Sequence, residues 1–185
     1  MKKEAEKNKM KDKIILNVTV NNPYWLDAVD FDALKVAENL KDLTFEYMAN
    51  SEHELLSGNK SYSLNVCLSD DEEVHRLNKE FRGMDKPTNV LSFANVDDDD
   101  FWAEYEESDE LELGDIILAY ETLQNEANIK GISVYAHYSH LLVHGFLHLL
   151  GFDHQADAEA EEMEDIETDI LAMYSIDNPY KEMED

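Results

Sequence analysis

The sequence predicts an α/β fold of the α+β kind: a mixed, roughly four-stranded sheet packed with about five helices, with a histidine-bearing helix at its centre. Three observations predict it. Short β-branched or apolar runs bounded by turn residues alternate with longer stretches of helical periodicity. Two consecutive strands, at Val90–Ala94 and 112–119, have no predicted helix between them, which breaks a strict βαβ array and calls for a mixed sheet. Finally, residues 131–152 carry no Asp, Glu, Lys or Arg, which suits a helix buried within the fold.

The elements follow in order. Residues 14–20, IILNVTV, are β-branched and end at Asn-Asn-Pro, so they read as a strand. Residues 30–48 read as a helix, with Phe31, Leu34, Leu40, Leu43 and Tyr47 on an apolar stripe. Residues 62–68 form the second strand. Ser69 and Asp70 offer an N-cap, and the acids at 71–73 suit the positive end of the helix dipole, so a helix runs to about Phe81. Gly83 and Pro87 enclose a loop before the two consecutive strands. The acidic stretch between those strands, 97–112, reads as a solvated loop or extended hairpin. Residues 122–128 read as helical, and Ser133 can cap the long histidine helix. A last helix over 159–174 has Met163, Ile166, Ile170 and Met173 on one stripe.

With 185 residues, one domain over 14–185 is the default. Residues 1–13 are lysine-rich and lack an apolar stretch behind them, so they read as a tail rather than a secretion signal. A single cysteine, Cys67, excludes an internal disulfide and suits a reducing cytoplasm, and its apolar strand makes it a small core residue. The uncharged run at 131–152 is long enough for a membrane span. It holds four histidines, two serines and two tyrosines, however, and reads better as a buried helix of a soluble protein.

The net charge of −28 is unusual for a protein that binds a polyanion. The charge is segregated. Six of the fifteen Lys and Arg lie in the first thirteen residues, and four of the other nine are Arg76, Lys79, Arg82 and Lys86. A local basic strip can therefore persist on an acidic body.

The most informative stretch is HGFLHLLGFDH. His144 and His148 lie four apart, on one face of a helix, and can aim at one ion. Gly151 can end the helix in the left-handed conformation, so that the chain turns back and His154 approaches the same point. Three neutral imidazoles with an open fourth position are a usual ligand set for catalytic zinc, one ion per chain. Nickel and copper bind imidazole as well. His137 and His140 continue the same helix face, either as neighbours that orient a ligand or as core residues with satisfied hydrogen bonds. Asp153, beside His154, can orient an imidazole or cap the next helix.

The spacing is shared with the metzincin proteases, HExxHxxGxxH, but Gly145 stands where those carry the glutamate base. The undecapeptide instead resembles the signature of the YbeY family, close to HGxLHLxGYDH, with Phe152 in place of the tyrosine. The segment NKEFRGMDKPTNVLSF at 78–93 and the Leu113-Gly114-Asp115-Ile116-Ile117 strand are similar to two further family blocks, in family order. The resemblance implies a small α/β fold and a metal-dependent endoribonuclease acting on single-stranded or precursor ribosomal RNA. It also implies that Arg82 is a functional residue. A guanidinium suits phosphoryl oxygens, so Arg82 and His144 form the expected catalytic pair, and His144, His148 and His154 the metal set. The family also places Asn89 and Ser92 near the cleft, and ribosome-associated proteins are possible partners. The competing reading, from another class, is a ribosome-assembly factor that binds without cutting and holds zinc structurally.

Overall fold

The computed structural model describes residues 12–154 and 156–181. The tail expected over residues 1–13 lies outside the described residues except for Asp12 and Lys13. The sheet is mixed and four-stranded, as the sequence predicts. Its order is β1-β2-β4-β3, with β1 Ile14–Val20, β2 Ser61–Ser69, β3 Val90–Ala94 and β4 Glu110–Ala119. β1 and β4 both run parallel to β2, and β3 runs antiparallel to β4 at the sheet edge. Seven α-helices accompany it among the described residues: α1 Tyr24–Asp27, α2 Ala33–Asn50, α3 Asp71–Arg82, α4 Phe101–Glu107, α5 Tyr120–Lys130, α6 Val134–Leu149 and α7 Asp157–Met173.

The caps form where the sequence places them. The Asp70 carboxylate accepts the Glu73 N–H at 2.9 Å, and the Ser133 hydroxyl accepts the Ala136 N–H at 3.0 Å. Gly83 closes α3 in the left-handed conformation. Two short helices are additions to the sequence reading. α1 is one turn, held because Trp25 is fully buried and its indole N–H donates to the Ser69 carbonyl at 2.9 Å. α4 occupies the acidic segment expected as a loop or hairpin. Phe101 enters the core while Glu104, Glu106 and Glu107 stay exposed, so the aromatic residue decides the structure there. Two stripes are also rotated from expectation. In α2 the buried side is Val36, Leu40, Phe45 and Met48, and Leu34 is exposed; in α7 Met173 is exposed.

The two sheet faces differ. On one, α2, α6 and α7 cover the main core. On the other, Val74 of α3 packs on Leu91, Ile117 and Ala119, with Cys67 against them. The open part of that second face, beyond α3, carries a polar ladder. Asn17 donates to Asn65 at 3.0 Å, and Asn65 donates to Glu112 and Asp115 at 2.8 and 2.9 Å.

β4 serves both faces because it changes alternation midway. Ser63 pairs with Glu112, but Asn65 pairs with Asp115, so Leu113 and Gly114 together oppose one residue of β2. The extra residue turns Leu111 and Leu113 before it, and Ile116 and Leu118 after it, into the same main core. Gly114 sits at φ +127°, and a Cβ there would lie 2.0 Å from the Phe93 carbonyl oxygen. Above this strand α6 packs closely, because Gly145 has no side chain. A Cβ at Gly145 would meet Ile116 Cδ1 at 2.8 Å.

These two glycines predict unequal costs. Gly114→Ala sets a new methyl against backbone in a conformation that L residues avoid, and is expected to destabilise by ~3 kcal/mol or more. Gly145→Ala crowds the buried Ile116 side chain, at Cδ1, Cγ2 and Cγ1, but no backbone, and it gains about 1 kcal/mol of helix preference in return, so it should cost less. Urea unfolding midpoints of the two variants check this, and equal midpoints would contradict it.

Candidate metal centre

The histidines of α6 lie along one side of the helix, and two of them share one partner, Glu167. His137 is buried, and its Nε2 lies 2.7 Å from Glu126 Oε2, an oxygen that also accepts from the Asn89 amide at 2.8 Å. Burial lowers the His137 pKa, and Glu126 opposes that shift. His140 Nε2 meets Glu167 Oε2 at 2.9 Å and the Tyr180 hydroxyl at 3.0 Å; that hydroxyl also donates to Glu167. One turn on, His144 Nδ1 meets the other Glu167 oxygen at 2.8 Å. His148 Nδ1 lies 2.8 Å from the Phe152 carbonyl.

The last two contacts determine which ring nitrogens are available. A carbonyl only accepts, so His148 Nδ1 carries the hydrogen and Nε2 keeps its lone pair. Glu167 is completely buried; burial by itself would raise its pKa, but hydrogen bonds from His140 and His144 outweigh that and bring it to about 2. It is therefore an acceptor, and His144 likewise protonates Nδ1 and presents Nε2. Burial, with His144 nearby, pushes His148 down to about 4, so it is neutral at neutral pH. In these tautomers the two Nε2 atoms face each other at 3.0 Å as lone pairs. Two lone pairs at that distance repel unless a cation lies beside both.

His154 completes the group. Gly151, at φ +91°, turns the chain off the end of α6, and the Phe152 N–H returns to the Leu147 carbonyl at 3.1 Å. The His154 ring then stacks near His144, with centroids 5.5 Å apart and an interplanar angle of 28°. Ligand atoms of His144, His148 and His154 all lie within 4.8 Å of one another, so the group can hold a metal ion. The donor set fits zinc, which takes neutral imidazole nitrogens in a tetrahedral site.

A cavity of about 410 Å³ opens over the three imidazoles, bounded also by Arg82, Ser92, Asp97 and Asp153. Arg82 is the last residue of α3, one residue beyond the end near Phe81 that the sequence predicts. Its Nη2 donates to the Ser92 carbonyl at 3.3 Å, across the edge of β3. Asp85 is engaged elsewhere, by His75 at 2.7 Å and Lys79 at 2.8 Å. Arg82 has no carboxylate partner among the described residues. Asp153 neither caps α7 nor touches an imidazole by a hydrogen bond; it accepts the His154 N–H at 2.7 Å. Burial raises the Asp97 carboxyl pKa, and Asp153 and Asp98 add to the effect. Ser92 lines this cavity, whereas Asn89 lines the neighbouring one of about 310 Å³.

A sequence model of the family described as Endoribonuclease YbeY matches residues 29–175. The chain belongs to the YbeY family. Family members with that name include one from Paramagnetospirillum magneticum, 53% identical over 119 residues, or 64% of this chain and 71% of that protein. Another, from Rhizorhabdus wittichii, is 42% identical over 164 residues and covers 88% of this chain and 95% of its own length. One from Novosphingobium aromaticivorans is 44% identical over 161 residues, 86% of this chain and 92% of that protein. The solution structure of TM1509 from Thermotoga maritima shares the fold, with a TM-score of 0.52 at 20% identity, covering 91% of this chain and all of that one.

Within this YbeY fold two residues of the site escaped the sequence reading, Glu167 and Tyr180. Glu167 had a signal. It lies four after Met163 and three before Ile170, on the apolar stripe of an otherwise acidic helix, where a carboxylate must have a partner. Tyr180 carried none. Glu167 orients His144 and fixes its tautomer, so Glu167→Gln is expected to weaken metal retention about 10–100-fold. Competition against a chelator measures this; unchanged affinity would reduce Glu167 to a packing residue.

Proposed function

We propose that this chain is a zinc-dependent endoribonuclease that cuts single-stranded or precursor ribosomal RNA in the cytoplasm, with a part in ribosome maturation and quality control. His144, His148 and His154 would hold one ion, and His144 and Arg82 would carry the catalytic work. The observation that carries this reading is the convergence of three imidazoles on a cavity that an arginine without a carboxylate partner also lines. The relatives' shared name, an endoribonuclease, supports it.

When bound, zinc supplies a water acidified from about 15.7 to about 7 and a Lewis acid for a phosphoryl oxygen. The rest falls to the chain. His144 and His148 keep their Nε2 lone pairs directed inward because Glu167 and the Phe152 carbonyl hold the opposite nitrogens. Arg82 reaches around the β3 edge, where its planar fork can meet two oxygens of the phosphoryl group as charge develops there. Asp97 lines the same cavity, its carboxyl pKa raised by partial burial and by Asp153 and Asp98. The net charge of −28 is no bar to RNA. Screening extends over only about 10 Å at 0.1 M salt, so local cations govern the approach of a phosphate.

Two features weigh against the rivals. A peptidase of the metzincin plan needs a carboxylate after the first histidine, and at Gly145 even a methyl meets Ile116. A structural zinc needs a fourth protein ligand, and Cys67 packs on the opposite face of the sheet.

Cleavage of defined single-stranded RNA by metal-replete protein should be lost on chelation and in His144→Ala. Arg82→Ala should keep its metal and lose about 10²–10³ in single-turnover rate, equivalent to ~2.7–4 kcal/mol. Arg82→Lys should recover little of it, since lysine lacks the fork. RNA binding without cleavage by metal-replete wild type would favour the assembly-factor reading.

A further inference from the structure

Phe81 precedes Arg82 in the last turn of α3 and is 63% exposed, the most open aromatic ring among the described residues. It continues the apolar side of α3 from Leu77, but the core ends before it. Its one ring contact among the described residues is edge-to-face with Phe93, centroids 5.4 Å apart at 70°, so much of the ring faces water. Met84, 45% exposed, follows across Gly83. Core packing does not account for two such side chains on the α3 side of the β3 edge, next in the chain to the arginine that reaches around it.

The segment that carries them is rigid. Asn78, almost fully buried, accepts the Met84 N–H at 3.2 Å through its carbonyl, and its side-chain amide donates to the Lys86 carbonyl at 2.7 Å. Cations lie on either side of Phe81 along the chain. Arg82 and Lys86 have no carboxylate partner among the described residues, while Arg76 and Lys79 pair at the surface with Glu80 and Asp85. An exposed aromatic ring set among cations in a pre-ordered segment is the arrangement that holds single-stranded nucleic acid: phosphates meet the charges and a base stacks on the ring. The charge pattern favours that occupant over a protein partner, because elsewhere the chain is predominantly acidic.

We propose that Phe81, with Met84 beside it, is a base-stacking ledge for a nucleotide flanking the phosphate held at Arg82, so that the RNA leaves the metal cavity over the edge of β3. The inference rests on the endoribonuclease reading and extends it. Stacking accepts any base, so the ledge contributes affinity and fixes the path of the strand with little sequence preference.

The test uses metal-replete protein and a defined single-stranded RNA, with single-turnover cleavage followed against enzyme concentration. Phe81→Ala should raise the half-saturating concentration about 5- to 150-fold, the usual range for one base–aromatic stack. Phe81→Leu keeps an apolar contact to Phe93 and guards against a folding defect; it should lose as much, and Phe81→Trp should restore binding. Metal content should be unchanged, and the loss should vary little with salt, unlike that of Lys86→Ala. An abasic nucleotide moved along the RNA should weaken wild type at one position by the same factor and add nothing in Phe81→Leu. Wild-type half-saturation in Phe81→Leu, or abasic penalties that add in full to that of the variant, would overturn the ledge and leave the ring to packing or a protein partner. Absence of RNA cleavage and binding by wild type would instead defeat the endoribonuclease reading itself, and the ledge with it.

Discussion

A completely buried carboxylate, Glu167, joins the last helix to the histidine helix, and the metal centre depends on it. A carboxylate without partners in that position would cost several kcal/mol. Here one oxygen takes His144 and the other takes His140 and Tyr180. The same hydrogen bonds that make burial tolerable decide the protonation pattern of the helix. His144 must place its hydrogen on Nδ1, and Nε2 is left for an ion. Stability of the α6–α7 packing and readiness of the site are therefore one interaction seen from two sides.

The second constraint is how closely α6 lies on the sheet. Gly145 lets the helix settle against Ile116, and the bulge at Leu113–Gly114 is what turns Ile116 toward it. This contact sets the height of the histidine row above β4 and β3, and so the depth of the cavity. Arg82 reaches that cavity from the opposite layer, because β3 is a short edge strand that α3 can reach past. A longer sheet would have kept them apart. The arrangement thus recruits an arginine from one face to a metal group on the other.

Charge follows the same division. The acidic residues of α4, and those of α7 other than Glu167, lie in water and contribute repulsion that salt screens, while the cations near the cavity are few and close to where a phosphate would sit. A protein this acidic gains little from general attraction to RNA. In the proposed reading it would depend on particular contacts, which would make Arg82 and the exposed ring of Phe81 more consequential than they would be on a basic surface.

The sequence by itself determined what is local. The spacing of His144, His148 and Gly151 specifies a shared helix face and a turn, since both follow from the helical period and from the backbone freedom of glycine. The four strands, the caps at Asp70 and Ser133 and the stop at Gly83 are legible for the same reason. Tertiary structure decided what joins distant segments. Glu167 lies 23 residues from His144, and nothing in the period of an acidic helix says which carboxylate turns inward until α7 packs on α6. The helix at 101–107 exists because Phe101 finds a place in the core, which its acidic neighbours conceal. Arg82 was legible as a charge beside a glycine; that it faces three imidazoles is a property of the sheet edge. Local periodicity orients side chains about their own axis, and only packing settles what each then meets.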